Sequence, residues 1–485
     1  MQVRHLSSRT SSSQPSFGSL FSPQGIACAT RIRAVATRSG MYCVNLVLLA
    51  ALCSGCSSNV ADNSSTLSEQ DGTATATDDN SVEQYSLAET EAKVAELIVQ
   101  VNRMEAEFKF AEAIEAWKNI YDLVAKYAGE ESWQATNARL SLETAQRQAQ
   151  FSPAELGLLS EFAERQRLAS EHLNSGRLEE ALNEMQWVMS ATERLLGRDS
   201  HSVARIKLRM GQLLYQAGQI ELAAGYLRDA FVINREKLGV HPETESNAFL
   251  LGHALVRTGA IEQGVQCFEY VERLTTELWG EEHLLTATRK NDLGAAYHVA
   301  GKLDLASAKL EEALAMRKKL HPENHAAVGE TLRNLGVVYL DLQKLDLSSD
   351  CLTQALTILG NTSGESHILT LDTRSRLATV KMLTQEYLAA EGQLRQVVHH
   401  YEHTVPHAQG LAKACFQLGI ALGYQSQYHE AEPLLNRALS IQRTELGQWH
   451  PETVETMQAL AVLYDRIGQT DKAQSIHQAL QRFRQ

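Results

Sequence analysis

The stretch that decides the fold is 325–359, HAAVGETLRNLGVVYLDLQKLDLSSDCLTQALTIL. Leu332, Leu335 and Tyr339 recur at helical spacing and place one apolar stripe on a first helix. Residues 343–346 interrupt this pattern as a short turn. A second helical stripe follows, formed by Ser348, Leu352, Ala355 and Leu356. The stretch therefore predicts two helices joined by a tight turn.

The same pattern recurs every 41 or 42 residues over the C-terminal two-thirds of the chain. A small residue marks each first helix, at Gly211, Gly252, Gly294, Gly336, Ala378, Gly419 and Ala461. Twelve residues later comes a second small residue, at Ala223, Gly264, Ala306, Ser348, Ala390, Ala431 and Ala473. Small residues let two helix backbones approach closely, and such a hairpin buries its apolar face by stacking on its neighbours. The fixed period therefore predicts an all-α repeat array, an α-solenoid.

A recurring connector joins one hairpin to the next. His241-Pro242-Glu243-Thr244 and His450-Pro451-Glu452-Thr453 are near copies, and His321-Pro322-Glu323 is a third version. Proline suits the first turn of a helix, and glutamate just after it suits the positive end of the helix dipole. The preceding helix often ends in a glycine suited to a left-handed cap, at Gly197, Gly239, Gly280 and Gly447. We expect the connector histidines to pack the loops rather than to catalyse a reaction.

Taken together, the period, the small residues and the connector resemble the tetratricopeptide repeat. The 42-residue period resembles the form found in kinesin light chains and many bacterial repeat proteins. The resemblance covers residues 166–485 and implies a right-handed superhelix of about eight hairpins. Two departures mark the repeat at 378–398 as degenerate. Lys381 replaces a tyrosine found in other repeats, and Gln385 replaces the turn glycine, as Gln343 and Ser426 do in two other repeats.

Upstream of this array the pattern weakens. Ala169 and Gly176 lie on the repeat lattice and add one more unit. Residues 86–165 are helical in pattern, with Ser152-Pro153 marking a break. We interpret 86–165 as degenerate repeats that cap the array.

The N-terminal segment 1–56 has the features of a targeting signal. Residues 1–61 carry five arginines and no acid, and 44–52 is a short apolar run. That run is too short to span a membrane, which takes about 20 apolar residues, but it suits a signal-peptide core. The following Cys53-Ser54-Gly55-Cys56 resembles a bacterial lipobox with Cys56 as the lipidated residue. A plain signal peptide, a transit peptide over 1–40, and a start at Met41 stay open.

Residues 57–85 are rich in Ser, Thr, Asp and Asn and cannot bury enough apolar surface to fold. We interpret them as an acidic, disordered tether between a lipid anchor in the cell envelope and the array. A secreted or periplasmic location is the alternative.

Charge excludes some partners. The chain has a net charge of −13, and beyond residue 61 its 40 basic and 58 acidic residues give −18. A nucleic-acid binder normally presents a basic face, so that class is disfavoured. Of seven cysteines, Cys267, Cys351 and Cys415 lie in the array, where we expect helical packing.

No phosphate-binding loop, zinc-protease helix or nucleophile elbow occurs. One histidine cluster remains, in which His399 and His403 share a helical face as metal ligands can, with His407 nearby. A polar helix end is the simpler interpretation. An enzyme or metal-binding protein built on 399–407 is nevertheless kept as an alternative function.

The resemblance implies that first helices line a concave groove and that the position two before the small residue grips an extended peptide. Here that ladder is Arg209, Leu250, Asp292, Asn334, Arg376, Gln417 and Ala459. Asn334 matches the family residue, and Asn291 lies one position off. Donors such as Asn334, Arg376 and Gln417 could bond a peptide backbone or its carboxylates. Solvated polar residues on an exposed face are the alternative.

These observations predict a non-enzymatic scaffold without a cofactor, which binds protein segments in the groove and is held in the envelope through Cys56. A structural envelope protein that self-associates through its exposed repeat ends is a further alternative.

Overall fold

The computed structural model describes residues 87–322, 324–403 and 408–484. The predicted targeting segment 1–56, the lipidation candidate Cys56 and the predicted tether 57–85 lie outside these residues.

The described residues form nineteen α-helices and no strand. In chain order the helices are α1 Leu87–Ala106, α2 Phe110–Ala128, α3 Trp133–Gln148, α4 Pro153–Asn174, α5 Leu178–Leu196, α6 His201–Gln216, α7 Ile220–Lys237, α8 Pro242–Arg257, α9 Ile261–Trp279, α10 Leu284–Val299, α11 Leu303–Leu320, α12 Ala326–Asp341, α13 Leu345–Ser363, α14 Ile368–Leu383, α15 Tyr387–His403, α16 Ala408–Tyr424, α17 Tyr428–Glu445, α18 Pro451–Arg466 and α19 Thr470–Arg484. None of these helices has both the length and the apolar character needed to cross a membrane.

Helices α4 to α19 form eight hairpins, each with a first helix (even number) and a second helix (odd number). Every hairpin within a compact unit packs on the next, so the prediction of an all-α solenoid is confirmed. The predicted boundary at 165/166 falls inside α4, which runs from Pro153 to Asn174. The break lies at 149–152, where Ser152 caps α4 and forms a capping box with Glu155.

The connector histidines are helix caps. In five first helices the Nδ1 of the preceding histidine accepts a hydrogen bond of 3.0–3.3 Å from the backbone N–H two residues on, at His241, His283, His325, His367 and His450. Such a bond satisfies one of the unpaired N–H groups at a helix start. The third connector version differs from the expectation. His321 ends α11, and His325, in register with the other caps, starts α12.

Two of the four glycines that end second helices, Gly197 and Gly280, differ from the expected left-handed cap. Gly197 and Gly280 have positive φ, 90° and 87°, but their ψ values are 152° and 165°. This region is open essentially to glycine alone, and it sends the chain out extended toward the next cap. Glycine is therefore required at these two positions, but for an extended chain exit and not for a left-handed cap.

The small residues on the first helices sit where the two helices of a hairpin touch. A Cβ added at Gly336 would lie 2.7 Å from Cγ of Leu352, which is fully buried. The same contact recurs at 2.6–2.7 Å for Gly211 with Leu227, Gly294 with Leu310, and Gly419 with Leu435. The large residue sixteen positions after each small one thus fills the space that a side chain would occupy.

The described chain divides into two compact units, residues up to Glu281 and residues from Glu282 onward. In the first unit the apolar clusters include Trp117, Met185 and Leu251. In the second unit they include Leu335, Leu352 and Leu418. Each unit therefore has its own apolar core.

The three cysteines of the array lie within the helical packing. Cys351 and Cys415 are buried, whereas Cys267 is partly exposed. Burial raises the pKa of all three thiols to about 11, which disfavours the reactive thiolate.

Candidate binding surface on the first helices

Within residues 282–484, consecutive first helices touch one another directly: α10 touches α12, α12 touches α14, and α14 touches α16. The second helices of the same described range make no contact of similar extent with each other. Helices that lie closer together line the inner side of a curved stack. The first helices therefore form the inner face of this unit.

Asp372 on α14 is the centre of a charged cluster on this face. Its carboxylate accepts a hydrogen bond of 2.8 Å from Nε of Arg376 and one of 3.1 Å from Nε of Arg333 on α12. Nζ of Lys413 on α16 lies 3.6 Å away. Burial by itself would raise the pKa of Asp372, but the three cations outweigh burial and hold that pKa well below its usual range. The carboxylate is therefore ionised, with cations from three helices around it.

A chain of hydrogen bonds continues from this cluster toward α10. Nη1 of Arg333 donates to Oδ1 of Asn334 at 3.0 Å, and Nδ2 of Asn334 donates to Oδ1 of Asn291 at 3.2 Å. Beside Asn291, Asp292 lies 3.4 Å from Nη1 of Arg289. Polar side chains thus link the inner faces of α10, α12, α14 and α16.

The buried Arg317 of the second helix α11 bonds to α12 and also to α10, where its Nη2 donates to Oγ1 of Thr288 at 3.3 Å. Nη1 of Arg317, which is 4% exposed, donates to the carbonyl of Ala327 at 2.7 Å and to Oγ1 of Thr331 at 2.8 Å. Burial raises the pKa of Asp292, against the opposing effect of Arg289 and Arg317. Burial likewise raises the pKa of Glu330. We call the whole set the inner network: Arg289, Asn291, Asp292, Arg317, Glu330, Arg333, Asn334, Asp372, Arg376 and Lys413.

Comparison with known proteins gives the repeats a family. Two family models described as tetratricopeptide repeat match residues 286–327 and 411–485. The chain contains tetratricopeptide repeats. Among curated proteins, none matches this sequence.

Several solved structures are similar to these tetratricopeptide repeats. A putative kinesin light chain from Podosopora anserina with nearly identical TPR-like repeats is 21% identical over 43% of this chain and 98% of its own, with a TM-score of 0.38. BtubC (BKLC) from P. vanneervenii is 16% identical over 49% and 93%, with a TM-score of 0.40. The apo quorum sensor NprR from B. thuringiensis is 13% identical over 78% and 99%, with a TM-score of 0.51. At 13% identity the likeness to NprR concerns the fold alone.

The tetratricopeptide ladder residues fall into different surroundings. Arg376, Asn334 and Asp292 belong to the inner network. Gln417 is 5% exposed and donates to Oγ1 of Thr379 at 3.0 Å, while its Oε1 contacts no donor among the described residues. In the other unit Arg209 is exposed and donates to Oγ of Ser170 at 3.2 Å.

The two apolar ladder positions, Leu250 and Ala459, are buried. The ladder is thus continuous and polar from α10 to α16, and it ends in apolar residues on either side.

Sequence reasoning missed three members of the cluster, Asp372, Arg333 and Lys413. A signal existed for two of them. Asp372 lies four residues before Arg376, and Lys413 lies four before Gln417, so each shares a helix face with a ladder residue. Arg333 directly precedes Asn334 in the sequence, and no spacing of this kind pointed to it.

The metal candidates share a face as expected. The rings of His399 and His403 lie 4.7 Å apart between centroids, and Nδ1 of His400 lies 3.0 Å from Oγ of Ser366. Residue 407, the third histidine of the cluster, is outside the described residues. Among the described residues, no three or more His, Cys, Asp and Glu side chains form a group that could hold a metal ion.

Proposed function

We propose that this protein is a non-enzymatic scaffold that holds an extended segment of a partner protein along the inner face of α10, α12, α14 and α16. Stacked repeats form long surfaces of this kind. The tetratricopeptide repeats favour a protein partner. The observation that carries the proposal is the cluster at Asp372, where three cations surround one carboxylate on a face lined by hydrogen-bonding side chains.

The charge around Asp372 indicates which charged groups the partner segment carries. Arg333, Arg376 and Lys413 surround Asp372, and Asp341 acts on Arg376 from the end of α12, so the three cations exceed these two acids by one charge. This local excess stands within a chain of net charge −13. The side chains of Arg376 and Lys413 are 23% and 25% exposed, so a ligand can reach part of each. A carboxylate of the partner would make charge-assisted hydrogen bonds with them.

The remaining ladder residues suit a backbone ligand. Asn334 presents a partly exposed amide on α12, and Asp292 adds a partly exposed acceptor near α10. Arg209 occupies the matching place in the other unit. Such spaced donors and acceptors match an extended chain, whose N–H and C=O groups alternate.

We also propose that the scaffold is tethered in the cell envelope by a lipid on Cys56, with 57–85 as the spacer. The support for this part is the sequence of 1–85. Mass spectrometry of the mature N-terminus tests it, because a lipidated Cys56 adds the mass of its acyl chains and an N-terminus elsewhere would exclude it.

Affinity capture tests the groove. The chain from residue 57 onward is immobilised, incubated with lysate of its own cells, and compared with the double variant Arg376→Gln, Lys413→Gln. We expect the main retained protein to fall at least tenfold in the variant. Both residues are partly exposed, and although their replacement removes two partners of Asp372, the hydrogen bond from Nε of Arg333 remains.

A matched control removes two positive charges elsewhere. Arg395→Gln with Lys472→Gln changes the exposed sides of the second helices α15 and α19. It should retain the partner at the level of the unaltered chain. Equal retention by all three proteins, with equal thermal stability, would contradict the groove as the binding surface.

A further inference from the structure

His241 occupies an unusual position for a helix cap. The residue is 1% exposed at the start of α8, and its Nδ1 accepts a hydrogen bond of 3.0 Å from the backbone N–H of Glu243. On the other side of the ring, Nε2 lies 3.0 Å from Oδ1 of Asn137 on α3. Since Nδ1 accepts, Nε2 carries the proton and donates to Asn137. Both nitrogens are thus used by the neutral ring.

The bond to Asn137 joins parts of the chain that are 104 residues apart. Trp133, at the start of α3, adds an edge-on ring contact with His241 at 5.8 Å between centroids. In a solenoid a repeat normally contacts only its neighbours. The described helices α1 to α3 pack on one another in order, but α3 and α4 make at most marginal contact. The ring of His241 is therefore a principal tie between helices α1–α3 and the array.

The groups around the ring decide how it responds to a proton. On its own helix the carboxylate of Glu243 favours the charged ring, but that carboxylate is engaged by Nε2 of His201 on α6 at 2.9 Å and acted on by Arg205. His201 itself disfavours a second positive charge. From α3 the contacting side chains, Trp133 and Asn137, are uncharged. Burial dominates this balance, and it lowers the pKa of His241 to about 4.

We propose that His241 is a proton-operated latch, which holds helices α1–α3 against the hairpin α8/α9 while neutral and releases them when protonated. A proton on Nδ1 would remove the acceptor that caps α8 and point a second N–H at the backbone N–H of Glu243. It would also place a positive charge at the positive end of the helix dipole. The ring then leaves its buried site and the contact with α3 is lost.

The linkage between proton binding and docking sets the direction in which docking changes with pH. The pKa of the docked ring, about 4, is below the ordinary value of 6.5, so docking is fully stable above about pH 6.5 and weakens as the pH falls toward 4. The population of released α1–α3 should rise about 30-fold between pH 7.5 and pH 5.

Amide hydrogen exchange on the full chain tests the latch. Protection factors, corrected for the intrinsic effect of pH, are measured for 87–148 and for 153–484 at pH 7.5 and pH 5. In the unaltered protein we expect protection of 87–148 to fall strongly at pH 5 while that of 153–484 changes little. Equal loss over both regions, or no loss in 87–148, would overturn the proposal.

Two variants separate titration from packing. His241→Asn keeps a side-chain oxygen that can cap α8 but cannot be protonated, so protection of 87–148 should no longer depend on pH. Asn137→Ala should release α1–α3 already at pH 7.5. His450→Asn, the same change at the cap of α18, is the control and should behave as the unaltered protein. If His241→Asn retains the pH dependence of the unaltered protein, His241 is not the latch.

Discussion

Gln343, Gln385 and Ser426 occupy hairpin turns with φ of 60°, 65° and 60°. The corresponding residue is glycine in other hairpins, at Gly176, Gly218, Gly259, Gly301 and Gly468, all with positive φ. A residue with a Cβ pays about 1–2 kcal/mol for this conformation, whereas glycine adopts it readily. The sequence departures at these positions therefore change the strain in the turn and leave its shape intact.

Gln385→Gly should stabilise the protein. The relief of left-handed strain outweighs the extra freedom of glycine in the unfolded chain, which leaves a gain of about 0.5–1 kcal/mol. Heat denaturation followed by circular dichroism measures it as a higher Tm. The reverse change in a matching turn, Gly301→Gln, should lower Tm by a similar amount. A lower Tm for Gln385→Gly would contradict the account of the turn.

Between elements, the contact of first and second helix is set by one glycine and one large side chain. Opposite Gly336 stands Leu352, with Leu335 and Ala355 buried nearby. Periodicity alone predicted this hairpin because small and large residues recur at fixed offsets. The polar contacts between first helices followed a different rule. They join residues 38 to 43 apart, from Gln417 with Thr379 to Asn334 with Asn291.

Gly336→Ala should destabilise the protein by about 1–3 kcal/mol, because the new methyl would meet the buried Leu352. Alanine occurs naturally at the equivalent position 378, sixteen residues before Leu394. Urea unfolding measures the loss. Gly392→Ala is the matched control, since a Cβ there meets nothing within 4 Å in the middle of α15. That change should gain up to about 1 kcal/mol in helix propensity. Equal effects at both sites would refute close packing at Gly336.

At the scale of the molecule, the described chain consists of two compact units that meet in sequence at Glu281 and Glu282. The repeat lattice runs through this point without interruption, so the sequence offered no reason to divide the array there. The division follows from contacts, because α9 and α10 pack mainly on helices of their own unit.

The fragment 282–485 should fold by itself. Three apolar clusters lie entirely within it, so we expect a helical circular dichroism spectrum and a cooperative heat transition. A fragment starting at residue 303 serves as the control. It lacks α10, the partner of α11, and uncovers Leu310 and Ala313, so its Tm should be clearly lower. An unfolded 282–485 fragment would show that its helices depend on the first unit.

The sequence by itself determined the all-α solenoid, the hairpins of the array and the turn positions, because these depend on spacing along one helix or between two adjacent ones. Only the tertiary structure decided which polar side chains meet. The cations at Asp372 come from three helices, and the ring of His241 meets Asn137 across 104 residues. Such contacts depend on how successive hairpins curve around one another, and a regular period leaves that curvature open. The division at Glu281 likewise depends on contacts between helices and not on the period.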